Sequence, residues 1–278
     1  MFFQQRRLQY DNLGYIASRW HRSPHGIEYT QTIPSLPELT AGVDAVADAK
    51  PVIRHTLERL LAVSAITKVV VVLHPQDEHW HLLGMEREND SRVSTCIGGD
   101  ERYQSVLNGL NHIFTEAKSE DWVLVHDAVR PCVRVEDIQK LIDSLDKHDV
   151  GGLLGSSIDN TLKQIDSGDN IVATIARSSY RNALTPQMFR FEMLRNAIED
   201  LISNSETVTD ESAAMERMGH TPLMVMGNKD NIKITHESDL ILAAAILQSQ
   251  ESSRAEQSAN ERPSANEKPS ANKEPGNE

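Results

Sequence analysis

The run Asp121-Trp-Val-Leu-Val-His-Asp-Ala-Val-Arg-Pro131 carries an apolar stretch, Val123 to Val125, directly into His126, Asp127 and Arg130. In an open α/β sheet, ligands bind just beyond the carboxyl ends of the strands. A carboxylate at that place can hold a divalent cation, and an arginine three residues later can hold a phosphate. The same residues also suit plainer work, the aspartate capping the next turn and the arginine meeting solvent. Four further blocks carry polar groups that could join them. These are Gly98-Gly-Asp-Glu-Arg-Tyr-Gln-Ser-Val-Leu-Asn-Gly-Leu110, Asn182-Ala-Leu-Thr-Pro-Gln187, Thr209-Asp-Glu-Ser212 and Asp230-Asn-Ile-Lys-Ile-Thr235.

Positioning such groups requires a sheet, and the apolar pattern supplies one from Pro51 onward. Val52 to Val63 has helical spacing, and Lys68-Val-Val-Val-Val-Leu73 reads as a buried strand. A helix follows Asp100, with Val106, Leu107, Leu110 and Ile113 inward. The strand Trp122–Val125, a helix from Val135 to Leu145 and the strand Gly151–Ser156 come next. Alternating units of this kind predict a Rossmann-like α/β fold, a mostly parallel sheet with helices on both faces. Helices are expected near Met188–Leu201 and Glu211–Met218. Strands are expected at Leu223–Met226 and Ile232–Ile234, then a helix from Glu237 to about Gln248. Between residues 158 and 177 the rhythm breaks. Thr161–Ile165 and Ile171–Ile175, joined by the turn-forming Ser167-Gly-Asp-Asn170, predict a projecting β-hairpin.

Composition narrows the function classes. With 278 residues, 39% apolar and 25% charged, the chain suits one large enzyme domain, or one domain plus an appendage. A net charge of −13 argues against broad nucleic-acid or acidic-membrane binding. Only Cys96 and Cys132 are present, which fits a reducing cytoplasm. No apolar run nears the roughly 20 residues that span a bilayer. His74, His79 and His81 cluster without zinc-type spacing and read as solvated loop residues. Three divisions result: residues 1–50, which precede the alternating pattern; 51–250, the functional domain with its arm at about 158–177; and 251–278, an apolar-poor tail. In that tail Ser-Ala-Asn recurs at Ser258, Ser264 and Ser270, and disorder is expected.

The five blocks, in their order and spacing, resemble 2-C-methyl-D-erythritol 4-phosphate cytidylyltransferase, a family of the non-mevalonate isoprenoid pathway. The resemblance covers about Pro51 to Ala245. It implies transfer of CMP from CTP to methylerythritol phosphate, Mg²⁺ dependence, and a homodimer in which the arm completes the neighbouring subunit's site. By resemblance, Gly99, Asp100 and Ser105 recognise the cytidine, and Asp127 holds Mg²⁺ against the triphosphate with Asp230 as a second metal contact. Lys233 and Arg177 act on the phosphates, while Arg130, Thr161, Thr209, Asp210 and Thr235 contact the acceptor. Asp210 is also placed to cap the following helix. His126 is not needed as a general base, because a phosphate monoester is already nucleophilic near neutral pH. Ribitol-5-phosphate cytidylyltransferase shares most of these motifs and stays open as an alternative, as does a remnant that binds without turnover.

The family opens on a first strand and a glycine-rich phosphate loop of the form Pro-Ala-Ala-Gly-x-Gly-x-Arg-Met, then four residues and Pro-Lys-Gln-Tyr. Here that stretch reads Ile16-Ala-Ser-Arg-Trp-His-Arg-Ser-Pro-His-Gly26, and later Thr30-Gln-Thr-Ile-Pro-Ser35. Reading each codon one nucleotide later, with permitted synonymous codons, turns Ile16 to His25 into Leu-Pro-Ala-Ala-Gly-Thr-Gly-Ala-Arg-Met. Thr30 to Ser35 become Pro-Lys-Gln-Tyr-Leu-Pro at the spacing the family requires. The segment therefore reads as frameshifted, from before Ile16 to between Pro37 and Lys50. The chain as written is expected to lack both its phosphate loop and the central first strand.

Overall fold

Alternation along the valine-rich strand Lys68–Leu73 decides the layering. Val69 and Val71 face one side of the sheet, Val70 and Val72 the other, and all four are buried. The computed structural model of the chain describes residues 13–18, 32–33, 50–77, 80–83 and 90–260. Its strands are β1 (Leu13–Ser18), β2 (Thr32–Ile33), β3 (Lys50–Pro51), β4 (Lys68–Leu73), β5 (Val93–Ile97) and β6 (Trp122–Asp127). There follow β7 (Gly151–Ser157), β8 (Leu162–Ile165), β9 (Ile171–Ile175), β10 (Arg181–Arg190) and β11 (Leu223–Met226). The helices are α1 (Val52–Leu61), α2 (Arg102–His112), α3 (Val135–Leu145), α4 (Phe191–Ser203), α5 (Glu211–Arg217) and α6 (Glu237–Asn260).

Seven strands form the main sheet in the order β11-β7-β10-β6-β1-β4-β5. β10 runs antiparallel to both its neighbours, and the other pairings are parallel. Ile53, Leu57 and Leu60 of α1 and Ile138, Leu141 and Leu145 of α3 cover one face, against Leu124. Val106 and Leu110 of α2, Leu194 and Ile198 of α4 and Met215 of α5 cover the other, against Val123 and Val125. Each such side chain, fully buried, contributes about 1.5–3 kcal/mol. Among the described residues β8 and β9 pair only with each other, which makes the arm a separate two-stranded ribbon. The α/β sheet and the hairpin are thus as the sequence predicts.

Several expectations need correction. The central strand is not lost: Leu13–Ser18 pairs with β4 on one side and β6 on the other. Ladder hydrogen bonds come from the backbone, so a β-compatible segment can fill the slot without the family's side chains. The loop stretch after Ser18 lies outside the described residues. Met188–Arg190 belong to β10, and the helix begins at Phe191. Pro186 has no N–H to give a ladder, and β10 accommodates it at a register shift between Ala183 and Gln187. The expected strand Ile232–Ile234 is an irregular loop, tied down by the Ile234 N–H donating to the Val129 carbonyl at 3.0 Å. β5 was not anticipated at all. Finally, the terminal helix passes residue 250 and runs to Asn260. Gln250 anchors it from a buried position, its amide donating to the Cys132 carbonyl (2.9 Å) and accepting from Arg59 (3.1 Å). Residues 261–278 of the tail lie outside the described residues.

Candidate active site

β1 leads to β4 and β5 on one side of the sheet, while β6 lies on its other side, so the strand order switches beside β6. Crevices at such switch points receive ligands. Asp127 is the last residue of β6 and pairs in register with Ser18, the last of β1. Its carboxylate is buried among three cations. Arg130 Nε donates to Oδ2 at 3.1 Å, Lys233 Nζ lies 3.3 Å from the same oxygen, and Arg102 Nη2 lies 3.5 Å from Oδ1. Burial alone would raise the Asp127 carboxyl. Arg102, Lys233 and Arg130 overcome it and hold the group well below the usual carboxylate range. Lys233 moves the other way on burial, its ammonium lowered despite the partial support of Asp127.

Arg102 was not singled out from the sequence, and neither was Glu211. The guanidinium grips Glu211 through both nitrogens (2.5 and 3.0 Å), and Glu211 is only 2% exposed. This pair draws α2 and α5 together over the crevice. Both residues lie inside the polar blocks read from the sequence. Their pairing joins positions more than a hundred residues apart, which no local pattern reveals.

Of the residues expected at the site, the structure gathers Asp127, Arg130 and Lys233. Asp210 is close by in the network. Its Oδ1 caps α5 by accepting from the Ala213 N–H at 2.9 Å, and its Oδ2 accepts from Gln187 at 3.0 Å. Thr209 beside it is exposed. Ser105 is fully buried, accepting from the Gly99 N–H at 3.1 Å, so its hydroxyl closes the Gly98–Gly99 turn onto α2. A Cβ on Gly98 would come within 2.7 Å of that hydroxyl, which is why the turn needs glycine there. Asp100 stands exposed at the rim of the turn. Asp230 accepts from Arg134 at 2.6 Å and from Gln250 at 3.1 Å. The Thr235 hydroxyl donates to Asp239 at 3.0 Å. Thr161 and Arg177 are exposed and flank the same end of the arm, because Leu162 pairs with Ile175.

Mg²⁺ fits this site in one mode. Among the described residues no group of three or more carboxylates, histidines and cysteines could hold a cation unaided. Mg²⁺ commonly takes one or two carboxylates and draws its other ligands from phosphates and water. Asp127, ionised and facing the crevice cations, suits that role. The second carboxylate, Asp230, has one buried oxygen, Oδ1, without a hydrogen-bond partner among the described atoms.

Burial lowers His126 and His55 to about 4 each from an ordinary 6.5. Both are neutral in the folded protein at pH 6, whereas the unfolded chain binds protons there. Stability should therefore rise with pH between about 4 and 6.5, by up to roughly 3 kcal/mol for His126. Urea unfolding at pH 7.0 and 4.5 checks this, and equal midpoints at the two values would contradict it.

A largely parallel sheet covered on both faces, with arginines, lysine and aspartate at its switch point, defines a nucleotide-handling α/β enzyme. A family model described as 2-C-methyl-D-erythritol 4-phosphate cytidylyltransferase (IspD) matches residues 45–249. The chain belongs to that family of cytidylyltransferases, which are nucleotidyltransferases. The enzyme of this description from Tolumonas auensis is 44% identical over 202 residues, covering 73% of this chain and 86% of its own. That from Hahella chejuensis is 42% identical over 199 residues, covering 72% and 82%. The crystal structure of the Francisella tularensis enzyme aligns with a TM-score of 0.68 at 29% identity, covering 84% of this chain and 99% of that one.

Proposed function

We propose that this chain transfers the cytidylyl group of CTP to the phosphate of 2-C-methyl-D-erythritol 4-phosphate. A phosphate oxygen of the acceptor forms a bond to the α-phosphorus of CTP, the bond from that phosphorus to the bridging oxygen breaks, and pyrophosphate leaves. The observation that carries this reading is the cluster of Asp127, Arg130, Arg102 and Lys233 at the carboxyl end of β6. Charge spread over phosphoryl oxygens is stabilised mainly by positioned cations, and no protein base is required. Lys233 orients the incoming phosphate and Arg130 the acceptor, assisted by Thr209, Asp210 and Thr235. Gly99, Asp100 and Ser105 form the cytidine side through the turn before α2. Mg²⁺, when bound, supplies charge neutralisation at the triphosphate, with Asp127 as its protein ligand and Asp230 as a candidate second. Among the described residues no helix is long and apolar enough to cross a membrane, and a cytoplasmic setting suits the substrates.

Arg177 and Thr161 act in the neighbouring copy of a homodimer, delivered by the arm. Exposure of Ile165, Ile171 and Val172 at 52–64% supports an arm covered by a second subunit. Pyrophosphate release from CTP, followed with methylerythritol phosphate and with ribitol 5-phosphate in parallel, tests the reaction. Faster release with ribitol 5-phosphate would overturn the acceptor assignment. Mixing Arg177→Ala with Lys233→Ala protein tests the dimer. Shared sites should restore up to about a quarter of the parent rate in the mixture, since half the dimers are mixed and each has one intact site. A mixture no faster than its components would rule out completion in trans.

A further inference from the structure

His126 takes no part in the reaction above, yet it is completely buried beside Asp127. Its two nitrogens are both used. Nε2 lies 3.2 Å from the Arg130 carbonyl, which can only accept, so Nε2 carries the proton. Nδ1 is then an acceptor, and the Thr185 hydroxyl, 2.8 Å away, donates to it. With its proton so committed, the Thr185 oxygen accepts from the Asp127 N–H at 3.1 Å. The chain of bonds also closes on itself. Arg130 Nη1 donates to the Asn231 carbonyl at 2.9 Å, and the Asn231 amide donates to the Thr185 carbonyl at 2.7 Å. One ring of hydrogen bonds thus joins the end of β6, the Arg130 turn, the loop preceding Lys233 and the bulge of β10.

We propose that His126 is a positioning residue: as the Nε2–H tautomer it fixes the Thr185 hydroxyl and the Arg130 main chain, and through them orients Asp127, Arg130 and the Lys233 loop around the reacting phosphates. Each bond in the ring has one direction only, because every carbonyl accepts and every amide donates. Removing the imidazole leaves the buried Thr185 hydroxyl without its acceptor and the Arg130 carbonyl with only the longer Val133 N–H contact at 3.5 Å, and lets the Asp127 turn relax. Displacements of this kind, away from the reacting atoms, lower rates by about 10–100-fold in comparable supporting shells.

This inference rests on the cytidylyltransferase reading, and the test separates the two. The full chain is compared with His126→Phe, which removes both contacts, and with His126→Gln, which retains a donor toward Arg130. Asp127 amide hydrogen exchange is read by NMR at matched global stability, with the Leu124 amide as control. Slow turnover is read with radiolabelled CTP. Expected are nitrogen shifts of the Nε2–H tautomer for His126 and Asp127 exchange at least about tenfold faster in His126→Phe. In the same variant kcat should fall about 10–100-fold with KM for CTP within about threefold, and His126→Gln should lie between it and the parent. Adding Thr185→Val to His126→Phe should lower kcat little further, because both act through one contact. Unchanged Asp127 exchange in both variants, the opposite tautomer, or kcat losses that multiply independently would each overturn the proposal. A parent chain without turnover would follow from the missing phosphate loop, and Asp127 exchange and the tautomer would still decide the role of His126. The cytidylyltransferase reading falls if the chain carrying the family's loop residues at Ile16–His25 and Thr30–Ser35 also lacks turnover. If His126→Phe fails to fold, His126→Gln carries the same readouts.

Discussion

Replacing Ile16–His25 with Leu-Pro-Ala-Ala-Gly-Thr-Gly-Ala-Arg-Met, and Thr30–Ser35 with Pro-Lys-Gln-Tyr-Leu-Pro, is expected to raise CTP turnover by at least about 10²–10³-fold over the chain as written. The reason is positional. Ser18 ends β1 in register with Asp127, and the replaced residues include those next in sequence after it. The replacement puts two glycines there, whose amides can approach phosphate, together with an arginine and, seven positions later, a lysine. Preorganised donors and cations of this kind account for much of the acceleration in phosphoryl and nucleotidyl transfer. The chain as written instead presents Arg19-Trp-His-Arg22 in that stretch, bulky side chains in place of the glycines. The family-model match begins only at residue 45, which agrees with a segment that departs from the family. Steady-state pyrophosphate release from the two proteins is the measurement. Equal rates would mean that the cations already present around Asp127 suffice, and the frameshift account would lose its functional consequence.

Asp127→Asn, made in the replaced protein, should lower kcat by about 10²–10³-fold and destabilise either background by about 3–5 kcal/mol. Removing the carboxylate charge leaves Arg102, Arg130 and Lys233 facing one another in a buried crevice. Arg102 keeps its second carboxylate partner, Glu211. The pH dependence should change as well. The folded carboxyl titrates below its unfolded value of about 3.9, so its contribution is complete above about pH 5 and fades as pH falls through the acid range. Asp127→Asn therefore removes part of the acid limb of the stability profile while leaving the histidine-dependent rise between pH 4 and 6.5. Kinetics and urea unfolding across pH 3–8 test both claims. A variant as active as its parent would remove Asp127 from the site, and an unchanged unfolding midpoint would show the cations to be stable without it.

The residues of β4, β6 and α3 determined their own structure, because their valine runs and apolar spacing admit one burial pattern. The polar blocks were equally legible as blocks: Asp127, Arg130 and Lys233 could be singled out before any coordinate was known. Tertiary structure decided which polar atoms meet. Arg102 joins Glu211, Ser105 turns inward to Gly99, and Thr235 turns to Asp239, each through pairings that local spacing does not encode. The strand β10 was hidden because its proline opposes the propensity of the segment, and only two neighbouring strands offering backbone partners make it a strand. The same physics fills the β1 slot. Backbone hydrogen bonding accepts Leu13–Ser18 between β4 and β6 whatever its side chains, so the fold tolerates a segment whose residues depart from the family pattern.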